Sequence, residues 1–154
     1  MYKKILVPLD GSLRAEGILP HVESLALRLD SEIILLYVDA ASDLILERDE
    51  VADANLSLDE LQRRTRKHQL YLQAIADRWR SAGIVVQERL VSGDVATRII
   101  DTAEREAVGL VAMTSHGQTG SERTFYGSVA ASLLNRIDRP LLLIRSRYLK
   151  LADK

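Results

Sequence analysis

The run Gly109-Leu110-Val111-Ala112-Met113-Thr114-Ser115-His116-Gly117-Gln118-Thr119-Gly120-Ser121-Glu122-Arg123-Thr124-Phe125-Tyr126-Gly127-Ser128 passes from an apolar segment into a glycine-bearing loop. Gly109 to Met113 reads as a buried strand, and Val129-Ala130-Ala131-Ser132-Leu133-Leu134 after the loop reads as the start of a helix. Glycines between a strand and a helix let backbone N–H groups turn inward with no side chain in the way. A helix start adds unpaired N–H groups and the positive end of the helix dipole. Together these suit an anion, most often a phosphate. The competing reading of the same residues is a flexible surface loop.

The rest of the chain supplies the context. Ile5-Leu6-Val7-Pro8-Leu9 is a compact apolar run that ends in the turn signal Asp10-Gly11-Ser12, with Ser12 placed to cap a helix. Ile18, Leu19, Val22, Leu25, Ala26 and Leu29 are then spaced as one helical face, and Pro20 predicts a kink or a loosened first turn. Ile33 to Val38 is continuously apolar, as in a strand buried on both faces. The acid-rich stretch Asp39 to Asn55 has no clear period and is expected to be a loop with a short helical turn near Leu44 to Glu47. From Leu58 the helical spacing returns through Leu61, Thr65, His68, Leu72, Ile75 and Trp79, with Gly83 as its stop. Ile84 to Val91 is a third strand whose polar far end suits a sheet edge. Gly93-Asp94 opens a helix with Val95, Ile99, Ile100, Ala103 and Ala107 as its inner face. A fourth strand is expected over Val108 to Met113, and Leu141-Leu142-Leu143-Ile144 after Arg139-Pro140 is a fifth.

Strands alternating with helices select an α/β fold: an open, Rossmann-like, five-stranded parallel sheet with helices on both faces. Right-handed crossovers make β1 central, in strand order 3-2-1-4-5. Ligands in such sheets sit beyond the carboxyl ends of the strands, where the strand order reverses. That point lies between β1 and β4, whose ends are Asp10-Gly11-Ser12 and Ser115-His116-Gly117. The two most turn-rich sequences of the chain thus converge, which favours the phosphate loop over the flexible one.

With 154 residues, the chain fits one domain over residues 1–146, followed by a short charged tail, residues 147–154. Its 47% hydrophobic and 28% charged residues argue against disorder. A net charge of −1 provides no field for nucleic acid. Cysteine is absent, which fits a reducing compartment. The apolar start breaks at Pro8 and Asp10, too short for a signal peptide, and no run is long enough to span a membrane. A cytoplasmic protein with no membrane partner is the expectation.

Laid out in this way, the chain resembles the universal stress protein family over essentially its whole length. Nucleotide-binding members carry Gly-x-x-Gly, nine residues, then Gly-Ser or Gly-Thr after β4. Gly117, the residues Gln118 to Tyr126 and the pair Gly127-Ser128 match this pattern. Lys3-Lys4-Ile5-Leu6-Val7-Pro8-Leu9-Asp10-Gly11-Ser12 also looks like the family's first strand and turn, and Pro140 to Ile144 like its last strand. The resemblance implies adenine and ribose against Pro8, Leu9, Asp10 and Val38. It implies phosphates on Thr114, Ser115, His116, Gly117, Gln118, Thr119 and Gly120, and on Gly127, Ser128, Val129 and Ala130. Thr114 stands in place of the motif's first glycine, which a strand end tolerates and a positive φ does not. Gln118 replaces a basic residue of many relatives, which would weaken triphosphate binding relative to a monophosphate or adenosine.

The resulting expectation is an ATP-binding regulatory protein of the stress-response kind, non-catalytic or slowly hydrolysing. ATP, or ADP or AMP, would bind with Mg²⁺ or Mn²⁺. Asp10 is the candidate to hold that metal or the ribose, against the plainer role of a turn aspartate bonding its own backbone. His116 lacks a neighbouring nucleophile and is assigned no catalytic role. His21 and His68 are expected at the core edge, and Arg63-Arg64-Thr65-Arg66-Lys67 on a solvated helix face. A homodimer through the Leu141–Ile144 strand is expected, because that strand is an apolar sheet edge and family members commonly pair there. The alternatives are a binder of AMP or cyclic AMP, and a nucleotide-independent dimeric scaffold of the same fold.

Overall fold

The computed structural model describes residues 1–40, 54–115 and 127–145. The expected turn at Leu44 to Glu47, the loop residues His116 to Gly120 and the tail 147–154 lie outside them. The elements run β1 (Lys4–Leu9), α1 (Leu13–Glu16), α2 (Leu19–Leu29), β2 (Glu32–Asp39), α3 (Ala54–Ser81), β3 (Val86–Ser92), α4 (Val95–Arg105), β4 (Leu110–Thr114), α5 (Ser128–Arg136) and β5 (Leu141–Ile144). All strand pairs are parallel, in the order β3-β2-β1-β4-β5.

Alternation along the strands splits the core into two layers. Ile5, Val7 and Leu9 of β1 join Ile33 and Leu35 of β2 beneath α2 and α3, where Val22, Leu72 and the fully buried Trp79 complete the packing. Leu6, Ile34, Leu36 and Val111 face the other way, against Ile99 and Ala103 of α4 and Leu133 of α5. The polar third strand is an edge, as its composition suggested.

The helix boundaries follow from local chemistry. Ser12 caps α1 by accepting from the Ala15 N–H at 3.1 Å. The kink or loosened first turn expected at Pro20 takes the form of a break before it: α1 ends at Glu16, and Pro20 falls in the first turn of α2, where a missing N–H costs nothing. Asp94 caps α4 through the Thr97 N–H at 2.9 Å. Gly83, at φ 87°, follows the end of α3.

Several boundaries differ from the sequence reading. The third strand begins at Val86 and extends to Ser92, and the fourth begins at Leu110 and extends to Thr114. Ala107, assigned to the inner face of a helix, is exposed and lies beyond the end of α4 with φ 52°. His21 is exposed and not at the core edge.

Ladder register opens the sheet at its carboxyl end. The β1–β4 ladder stops at Leu6–Val111, whereas β4–β5 continues to Thr114–Ile144. The Lys3 C=O accepts from the Glu32 N–H of β2, and the Lys4 C=O accepts from the Gly109 N–H before β4. Even-numbered residues of β1 therefore turn their peptide groups toward β4, and Pro8 is one of them. Its missing N–H falls where the two strands have parted, so a proline sits in a central strand without breaking a ladder bond.

Candidate functional site

A cavity of about 330 Å³ occupies the opening between the parted strands. Pro8, Leu9 and Asp10 of β1 and its turn form one wall, and Tyr37 to Ala40 at the end of β2 form another. Met113, Thr114 and Ser115 close it from β4, and Gly127, Ser128, Val129 and Ala130 from the start of α5. Every described residue that the sequence assigned to the site therefore borders this one cavity. His116, Gly117, Gln118, Thr119 and Gly120 lie outside the described residues.

The register of β2 explains how Val38 reaches the site. Glu32 donates its N–H to β1, and Ile33 donates its N–H to the Val85 C=O on the β3 side. By that alternation Val38 turns its peptide groups toward β1, one residue past the last paired position, Leu9–Tyr37. Asp39 turns the other way, and its C=O accepts from the Gly93 N–H at 3.4 Å.

At the opposite side, Gly127 is the N-cap of α5 with φ −63° and ψ 160°, and as a glycine it supplies no side-chain cap of its own. Its N–H donates to the Ser115 C=O at 2.6 Å, and its C=O accepts from the Ala131 N–H at 2.9 Å. The first-turn N–H groups of α5, with the positive end of its dipole, thus border the cavity. Thr114 continues β4 and has no positive φ. A β-branched side chain is at home in a strand, so its departure from the glycine pattern costs the backbone nothing.

Asp10 is the turn aspartate of the plainer reading while also bordering the cavity. Its Oδ1 accepts from the Ser12 N–H at 2.9 Å and from the Ser12 hydroxyl at 2.6 Å. Gly11 adopts φ 82° in this turn, a conformation that favours glycine.

Four further residues belong to the site, and sequence reasoning assigned none of them. Arg64 of α3 borders the cavity, and its Nη2 donates to Asp39 Oδ1 at 2.8 Å. His68, one turn further along, has Nε2 3.6 Å from Asp39 Oδ2, and its ring stacks on Tyr37 with centroids 4.0 Å apart. The Tyr37 hydroxyl donates to the Asp10 C=O at 3.3 Å, tying the ends of β1 and β2 together. Arg63, Arg66 and Lys67 do form a solvated face, but Arg64 turns inward. The available signal was its spacing, four residues before His68 in the buried helical series.

Burial dominates the ionisation of this group. It pushes the His68 imidazole below its ordinary value; Asp39 opposes this, and Arg64 and Lys67 add to it. Burial, and then Asp10 and Asp39, raise the Tyr37 phenol. Among the described residues, Arg64 Nε and His68 Nε2 are buried with no hydrogen-bond partner. The arrangement presents backbone donors at one end and an ion pair at the other.

The sequence model of the Universal stress protein family matches residues 1–145. The chain belongs to that family. Within it, the chain is 30% identical over 158 aligned residues to Universal stress protein MJ0577 of Methanocaldococcus jannaschii, with 96% of this chain and 97% of that protein covered. The solved structure of MJ0577 matches with a TM-score of 0.84 at 28% identity, covering 96% of this chain and 99% of the other. A universal stress protein crystallised in complex with cAMP shares the fold, with a TM-score of 0.63 at 18% identity and coverage of 95% and 98%. Among the described residues of this family member, no helix is long and apolar enough to cross a membrane.

Proposed function

We propose that this universal stress protein binds an adenine nucleotide, ATP with ADP or AMP as competitors, and acts as a regulatory switch without efficient turnover. One observation carries the reading. The ends of β1, β2 and β4 and the glycine-led start of α5 border a single cavity of about 330 Å³. That volume is in the range of small-molecule sites, roughly 300–1,000 Å³. Base and ribose are assigned to the Pro8–Asp10 and Val38 side, and phosphates to Gly127, Ser128, Val129 and Ala130 with the loop before them. Among the described residues no group of three or more His, Cys, Asp or Glu is placed to hold a metal. Mg²⁺ or Mn²⁺ is therefore proposed to enter with the phosphates, with Asp10 as its candidate protein ligand. A homodimer through β5 is part of the same proposal.

Equilibrium binding of fluorescent ATP, ADP, AMP and cyclic AMP to the purified protein tests it. Saturable binding of an adenine nucleotide in the micromolar to millimolar range is the expected result. Absence of saturable binding by all four overturns the nucleotide reading and leaves the dimeric scaffold.

A further inference from the structure

β3 is one outer strand of the sheet, and most of its outward carbonyls are already occupied. The Val85 C=O accepts from the Ile33 N–H of β2. Peptide groups alternate in direction along a strand, so Val85, Gln87, Arg89 and Val91 face β2. Val86, Glu88, Leu90 and Ser92 face away from the sheet. The Gly93 N–H, which donates to the Asp39 C=O of β2, keeps this alternation to the end of the strand.

Three of the four outward carbonyls are held by arginines from three different elements. Arg80, near the end of α3, donates from Nη2 to the Val86 C=O at 2.8 Å. Arg89, on β3 itself, donates from Nη1 to the Glu88 C=O at 3.0 Å. Arg98 of α4 donates from Nε to the Ser92 C=O at 2.8 Å. Each guanidinium is also anchored by a carboxylate: Arg80 by Glu88 at 2.6 Å, Arg89 by Glu106 at 2.9 Å and Arg98 by Asp101 at 3.3 Å. Gly93 leaves room for the last of them, since a Cβ there would lie 2.7 Å from Arg98 Nε.

The other outer strand differs. Val111 and Ser115 donate their N–H groups to the C=O of Pro140 and Ile144, so Leu141 and Leu143 of β5 face outward. Among the described residues no side chain donates to either of these two carbonyls. An open edge of this kind is a template for pairing with another chain. A strand added to β3 would lie about 4.8 Å away and would need the carbonyls that the arginines hold. Displacing the guanidiniums would exchange charge-assisted hydrogen bonds for neutral ones. The pattern of β3 otherwise suits pairing with a second copy of itself. In antiparallel register about Arg89, Val86 would meet Ser92 and Glu88 would meet Leu90, all with outward peptide groups.

We propose that Arg80, Arg89 and Arg98 close the β3 edge to strand addition by a second copy of this chain. Strand pairing between copies is thereby confined to the β5 end of the sheet and cannot propagate from edge to edge. The closure does not depend on nucleotide binding.

Light scattering on the full-length protein at micromolar concentration tests it. Arg80→Ala, Arg89→Thr and Arg98→Ala combined remove the three caps without creating a large apolar surface. They also make the net charge of −1 more negative, which opposes association. The combined variant should show about twice the wild-type mass, because an isologous contact at β3 joins two particles. Adding Leu90→Pro removes an outward N–H, leaves the bonds to β2 intact and should return the mass to the wild-type value. If circular dichroism shows that the combined variant does not fold, Arg80→Ala with Arg98→Ala, which leaves β3 itself unaltered, decides in its place. A folded variant with the wild-type mass overturns the inference. So does a raised mass that persists after Leu90→Pro, since the association would then not be strand addition at β3.

Discussion

The Gly127 N–H donates to the Ser115 C=O at 2.6 Å, so the two ends of the segment joining β4 to α5 are held together. The bond fixes where α5 begins and aims its open first turn at the cavity. It also makes Gly127 a position where space matters more than backbone freedom, since φ −63° and ψ 160° suit any residue.

Gly127→Val should therefore fold and lose nucleotide binding. The new branched side chain enters the space assigned to phosphate without straining the backbone. Far-UV circular dichroism should match wild type, while fluorescent ATP titration should show at least a tenfold loss of affinity, about 1.4 kcal/mol. Wild-type affinity in this variant would place the phosphates elsewhere.

Hydrolysis should be far slower than the roughly 10 per second of ordinary enzymes, because efficient phosphoryl transfer needs a positioned base and cationic stabilisation. Phosphate release from purified protein measures it. A rate of that order, abolished by Asp10→Ala or His116→Ala, would contradict the prediction.

β5 should carry the dimer contact. Leu142 and Ile144 pack on one core layer and Leu141 on the other, whereas Leu143 belongs to neither and is half-buried at the sheet edge. Leu143→Glu should thus disturb association more than folding. Light scattering should give a dimer mass for wild type at micromolar concentration and a monomer mass for the variant. A wild-type monomer refutes the interface outright.

His68 should make stability fall on acidification. Its folded pKa is depressed below the ordinary 6.5, chiefly by burial, so the unfolded chain binds its proton more readily. The imidazole has no effect above that value, and its cost grows as pH drops from 6.5 toward the folded pKa. His68→Phe keeps an aromatic ring against Tyr37 and cannot titrate. The gap between wild-type and variant urea midpoints should shift in the variant's favour below pH 6.5. A constant gap from pH 8 to 5 would show that His68 does not titrate differently on folding.

Much of this was legible in the amino-acid order, because the features concerned are local. Continuous apolar runs mark strands buried on both faces, caps such as Ser12 and Asp94 mark helix starts, and strand-helix alternation leaves one economical sheet order. From that order the carboxyl ends of β1 and β4 had to adjoin, which put Asp10, Ser115 and Gly127 at one site. The tertiary structure decided what depends on register and on how a helix lies across the sheet. No local pattern says that the β1–β4 ladder stops at Leu6–Val111, so nothing in the order alone explains why Pro8 is harmless. Nor does a basic run reveal that Arg64, 25 residues from Asp39, turns inward while its neighbours stay in water. A helical period places Arg64 and His68 on one flank of α3. Only the packing of that helix on β2 and β3 brings the flank to a buried carboxylate, where two separate surface charges become one wall of the cavity.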